Sequence, residues 1–165
     1  LSILFKLNNG YIRQTQQLRA ALEREMAILA ARKCTPLDAA ELWRILSSID
    51  KAEDEKTRGE LDKELHTQIA KIADNPMIYS VLAAADQLTE NIIAGTRDYI
   101  MKKNRPEFKV DEQHRLLVEA IINNDEKGAE QYMSEHMEII EKCMDEMQKN
   151  CNNKRPANGI VIGGE

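Results

Sequence analysis

LDKELHTQIAKIADNP, residues 61–76, repeats its apolar side chains at Leu61, Leu65, Ile69 and Ile72. Steps of three and four place them on one side of an α-helix, which turns once every 3.6 residues. The helix has a defined end, because Pro76 disfavours the helical conformation in Asn75. The same stretch carries chemistry. Asp62 and His66 stand four residues apart, so a carboxylate and an imidazole share a face, and that face also holds Ile69 and Ala73.

Upstream, the recurrence of Leu18, Leu22, Met26 and Leu29 predicts a long first helix from Tyr11 to Lys33. Thr35-Pro36 then offers an N-cap and a proline at the first helical position, with Asp38 in the first turn, so a second helix is expected to run to about Ile49. The nearly all-charged segment Asp50 to Arg58 reads as a solvated turn or an exposed helix end. Downstream, a helix is expected from Pro76 to about Met101, followed by a flexible basic loop, Lys102 to Lys109. Asp111 is expected to cap a helix reaching Ile122, and Asp125 a last one reaching about Lys149. Residues 150–165, with their Asn, Pro and Gly clusters, read as a mostly disordered tail. The expected fold is all-α: an antiparallel bundle of six helices, or seven with a stub at Leu1, within residues 1–149.

Composition agrees with one helical domain. The chain has 165 residues, 42% of them apolar and 31% charged but only 4% aromatic. Its formal charge of −5 and lack of a basic block argue against nucleic-acid binding by these residues. Cys34, Cys143 and Cys151 form no CxxC pair, which disfavours a disulfide framework or a thiolate zinc site and suits a reducing cytoplasm. No apolar run approaches the roughly 18 residues of a membrane span. The opening LSILFKL lacks an initiator Met and reads as an apolar helix cut from something upstream, so a fragment is expected.

The chain has three histidines, each on the apolar stripe of a different helix. His66 shares its stripe with Asp62, His114 with Leu117 and Ile121, and His136 with Tyr132, Ile140, Cys143 and Met147. Histidines on surfaces would be scattered, whereas these should all face inward. A buried carboxylate also needs a counter-charge, and a divalent cation shared with neutral imidazoles supplies one. The expected metal ligands are therefore Asp62, His66, His114 and His136. Zinc leads for this donor set, with nickel and manganese also compatible. Arg19, in line with Ile12, Met26 and Ala30, and Arg97, in line with Ile93 and Ile100, are candidates to grip an anionic ligand.

These landmarks occur in a familiar order. Leu18-Arg19-Ala20-Ala21-Leu22-Glu23 with Leu29-Ala30-Ala31 resembles an "R..LE......AA" helix, and Asp62 to His66 resembles "D..FH", with Leu65 in place of the usual Phe. Asn75-Pro76 matches an "NP" break, His114-Arg115-Leu116-Leu117 with Ala120-Ile121 and Asp125 resembles "HR.L..AI...D", and Met133 to His136 resembles "M..H". Over roughly Leu1 to Cys143 the chain resembles the C-terminal ligand-binding (FCD) domain of GntR-type transcription regulators of the FadR subfamily, in its metal-binding branch. The resemblance implies the same four metal ligands, an Arg19 near the effector, a homodimer, and DNA contact only through a winged helix-turn-helix that would precede this region. Four protein ligands on an ion that tolerates five or six leave open positions, for which a small carboxylate or hydroxycarboxylate effector is the expected guest. A metal-dependent hydrolase of the helical-bundle type is the competing reading. A closed structural metal clip is a third. A di-iron bundle would require Glu-x-x-His motifs, and Lys63, Asp111 and Met133 stand three residues before the histidines.

Overall fold

A computed structural model of the chain describes residues 9–87 and 110–153, and every regular element in them is a helix. These are α1 (Asn9–Lys33), α2 (Pro36–Lys51), α3 (Glu55–Ala73), α4, which begins at residue 76 and is described through 87, α5 (Val110–Ile122) and α6 (Glu126–Asn153). The all-α expectation is met. The stub at Leu1, the far end of the helix expected to reach Met101, the Lys102–Lys109 loop and the tail beyond 153 lie outside the described residues.

Capping explains where the helices start. Thr35 and Asp38 satisfy each other's backbone: Thr35 Oγ1 accepts from the Asp38 N–H at 3.3 Å, and the Thr35 N–H donates to the Asp38 carboxylate at 3.0 Å. The charged stretch 50–58 is not one long turn. Only residues 52–54 leave the helical conformation, and Asp54 caps α3 by accepting from the Thr57 N–H at 2.9 Å and its hydroxyl at 2.6 Å. The expectation of a turn or an exposed helix end is met there, with the break confined to these three residues because solvated charged side chains also form helix well. Asp111 does not cap α5 as expected. It sits in the first turn and accepts from Arg58 Nη1 at 2.8 Å, tying α5 to the start of α3. Asp125 does cap α6, accepting from the Gly128 N–H at 3.0 Å, and a Cβ at residue 128 would collide with that carboxylate. α6 then continues to Asn153, past the expected end near Lys149.

Two helix ends are fastened to the C-terminus of α1. Lys33 Nζ donates to the carbonyls of Ala73 at 2.8 Å and Asp74 at 3.2 Å, where α3 stops on a left-handed Asp74. α5 stops at a left-handed Asn124 (φ 54°), with the Asn124 N–H on Ile121 O and the Asp125 N–H on Ala120 O. The Asn124 amide reaches across to the carbonyls of Ala31 at 2.7 Å and Cys34 at 3.4 Å. Asn124→Ala is therefore expected to cost about 2 kcal/mol, from the left-handed backbone and the lost bonds together. Asn124→Gly, which keeps the backbone, should recover about half. Urea unfolding of the two variants separates the contributions, and equal losses would mean the backbone contributes nothing.

The core is built from Met26, Leu42, Ile45, Ile49, Leu65, Ile69, Leu117, Ile121 and Met133. α1 lies against α3, α5 and α6, while α2 covers α3 and α5. The stripe expected on α1 is rotated. Leu18 is 45% exposed, and the buried face instead runs Gln16, Arg19, Glu23, Met26, Ala27, Ala30 and Ala31. At its first half α1 thus turns a polar row inward, where burial of such groups requires partners.

Candidate metal centre

The partners are the three histidines. Leu117, Val118 and Ile121 anchor α5 in the core and carry His114 in with them; Met133, Met137 and Cys143 do the same for His136 on α6. Leu65 and Ile69 set the inward face of α3, which leaves His66 with its ring against the others and 17% of its side chain exposed. The ring centroids are 4.7 Å apart for His114 and His136, 5.2 Å for His66 and His136, and 5.8 Å for His66 and His114. One nitrogen from each ring lies within 4.8 Å of the other two. Residues 66, 114 and 136, remote in the chain, face inward as their stripes required and meet there.

Asp62, one turn before His66, places Oδ1 3.0 Å from His114 Nε2. The contact does not have hydrogen-bond alignment: both His114 nitrogens and His136 Nδ1 are buried with no hydrogen-bond partner. Such orphaned atoms cost about 1–3 kcal/mol each when nothing satisfies them. Donor atoms on one ion, each about 2 Å from it, lie about 3 Å from one another, the separation seen for Asp62 Oδ1 and His114 Nε2, while the three histidine nitrogens lie within 4.8 Å of one another. Three imidazole nitrogens so placed could hold a metal ion.

The electrostatics divide the histidines. Burial alone would pull the His66 pKa down, but the Glu23 carboxylate, by its charge and by a 3.1 Å contact with Nδ1, outweighs burial with help from Asp62 and raises it from 6.5 to about 9. His136 moves the other way, well below 6.5, through burial first and then through the neighbouring imidazoles of His114 and His66. Its ring is neutral at pH 7, with a lone pair available.

Behind His66 stands a polar row of which the sequence reading picks out only Arg19. Glu23, 2% exposed, gives Oε2 to His66 and Oε1 to Arg19 Nη2 at 3.4 Å. Burial favours the neutral carboxyl, yet His66 and then Arg19 hold it ionised below its ordinary range. Arg19 is buried as its stripe implied, donating from Nη1 to Gln16 Oε1 at 3.0 Å and from Nε to Asp86 Oδ1 at 2.6 Å. The signal for Glu23 and Gln16 was present: 16, 19, 23 and 26 follow helical spacing, and Met26 is core. Asp86 carried no such mark. Arg97 lies outside the described residues.

Comparison with known proteins places this arrangement in context. The family model described as the FCD domain matches residues 14–139, a span that includes Asp62, all three histidines and the Gln16, Arg19, Glu23 row. An uncharacterized HTH-type transcriptional regulator of Bacillus subtilis (strain 168), YcbG, is 28% identical over 143 residues, covering 84% of this chain and 57% of the relative. The chain thus spans little more than half of that relative's length.

Proposed function

Because the chain belongs to the FCD domain family, we propose that it is the effector-sensing part of a GntR-type, FadR-subfamily transcription regulator, built around a metal ion. The ion is held by His66, His114, His136 and Asp62, with zinc the first choice. The observation that carries this reading is the convergence of three imidazoles from three helices, two of which, His114 and His136, have buried nitrogens that no protein group hydrogen-bonds. Such an ion supplies a Lewis-acidic centre whose remaining positions accept an oxygen ligand. A small carboxylate or hydroxycarboxylate is the natural effector, since Arg19 adds a guanidinium beside the cluster and can exchange a protein carboxylate for an external one. Arg97 keeps its place as a second candidate for the same anion.

An anion bound among α1, α3, α5 and α6 acts on the packing of those helices. The signal is their altered spacing, passed through a homodimer to DNA-reading domains of the kind the relative's HTH-type name denotes. We read the domain as a sensor and not a hydrolase, because Glu23, the buried carboxylate closest to serving as a base, is occupied by Arg19 and His66. A cytoplasmic setting suits a regulator, and no described helix is long and apolar enough to cross a membrane.

Calorimetry of metal-free protein with zinc at pH 7 tests the reading. With a pKa of about 9, His66 is protonated there and must surrender a proton to become a ligand, while neutral His136 has none to give. About one proton should leave per ion bound, read from heats in buffers of different ionisation enthalpy. Affinity should rise with pH until about 9 and then level, because above that point His66 is already deprotonated. Binding with no proton release would remove His66 from the ligand set, and no binding would remove the metal.

A further inference from the structure

We infer that Glu23 is a positioning residue of the metal centre, which turns His66 so that Nδ1–H faces α1 and Nε2 faces the other two imidazoles. The inference rests on the metal reading above and deepens it. Glu23 Oε2 lies 3.1 Å from His66 Nδ1, and His66 offers one ring nitrogen to the cluster, so with Nδ1 engaged by Glu23 the nitrogen left for an ion is Nε2. An ionised carboxylate only accepts, so its neighbour on the ring must be the N–H, and this fixes the tautomer that leaves Nε2 with its lone pair toward an ion.

Glu23 is itself locked from behind. Its other oxygen meets Arg19 Nη2 at 3.4 Å, and Arg19 is pinned on two further sides by Gln16 Oε1 and Asp86 Oδ1. At 2% exposure the side chain has no water to turn toward. Burying a charge this deeply is costly unless it is paired, and a purely apolar residue would fill the space at lower cost. The pairing with a histidine of the cluster gives that cost a purpose: a carboxylate on the far nitrogen orients a metal-bound imidazole and makes it a stronger donor.

The test compares wild type, Glu23→Gln, Glu23→Ala and His114→Ala by zinc competition with a chromophoric chelator, and follows the His66 ring by ¹⁵N NMR in zinc-loaded protein. Glu23→Ala should weaken zinc binding by about 10–100-fold. Glu23→Gln, whose amide oxygen still accepts the Nδ1–H, should recover part of that loss. Wild-type His66 should carry its proton on Nδ1. That measurement needs no variant, and a proton on Nε2 instead would overturn the inference even if Glu23→Ala failed to fold. Both Glu23 variants binding zinc within twofold of wild type would overturn the role of Glu23 and leave the metal reading intact. A wild type that takes up no more zinc than His114→Ala would remove both.

Discussion

His114→Ala should bind zinc about 100-fold or more weakly than wild type while remaining folded. Apparent zinc-binding energies of about 10–16 kcal/mol, shared among four ligands, assign about 3 kcal/mol to each, and 1.4 kcal/mol is a factor of ten. His114 is the ring to choose because it is 1% exposed and makes no hydrogen bond through either nitrogen. Its removal breaks no aligned hydrogen bond, though it takes away the 3.0 Å neighbour of Asp62 Oδ1. Two opposing changes act on metal-free stability: a cavity opens beside Leu117, and a pair of buried polar atoms without hydrogen-bond partners is deleted. The helix keeps its place through Leu117, Val118 and Ile121. Metal-free variant and wild type should consequently melt close together, and only zinc should separate them. Chelator competition gives the affinity and circular dichroism the fold. An affinity unchanged within threefold would show that the converged imidazoles do not share an ion.

The same residues show how much could be read without coordinates. Period alone found the helices of His66, His114 and His136 and faced each ring inward, because a histidine flanked at three- and four-residue steps by Leu, Ile or Met travels with the core. Meeting of the rings was an inference of a different kind, since nothing in one helix's pattern says which neighbour it packs on. Its basis was the chain's small histidine complement and the order of motifs. On α1 the pattern misled: Leu18 and its companions mark the more apolar side, but the polar cluster inside the bundle pulled Gln16, Arg19 and Glu23 inward, turning Leu18 toward solvent. An apolar stripe predicts the buried face only where the interior is apolar. Cap chemistry shows a similar split. Thr35-Pro36 was legible because its partner Asp38 is local, whereas Asp111 was misread because its partner, Arg58, comes from a distant helix. Arg32 on Glu126 and Arg44 on Glu64 are exposed pairs of the same long-range kind, while Arg44 on Glu41 is local, three residues apart in α2, and all of them add little stability.

Zinc at a free concentration 1,000 times its dissociation constant should stabilise the protein by about 4 kcal/mol, since an ion that binds only the folded state shifts unfolding by mass action. For a chain of this size about 2–4 °C accompanies each kcal/mol, so the melting midpoint should rise by about 10 °C and fall again on adding chelator. The large effect follows from where the donors sit. His66, His114 and His136 belong to α3, α5 and α6, so one ion ties α3 to the packed α5–α6 pair, which it otherwise reaches through α1, α2 and the Arg58–Asp111 ion pair. A second step should appear with the right acid. Across a panel of mono-, di- and hydroxycarboxylates, at least one at 100 times its dissociation constant should add about 2.7 kcal/mol, or roughly 5–10 °C, and only in zinc-loaded protein. Arg19→Ala should reduce this second step far more than the first, because the guanidinium reaches the cluster through Glu23 and is no ligand of the ion. An acid that acts equally with and without zinc would place its site away from the histidines. A zinc step followed by no acid step would make the ion a structural clip, leaving Asp86 a permanent partner of Arg19 and not a carboxylate an effector displaces.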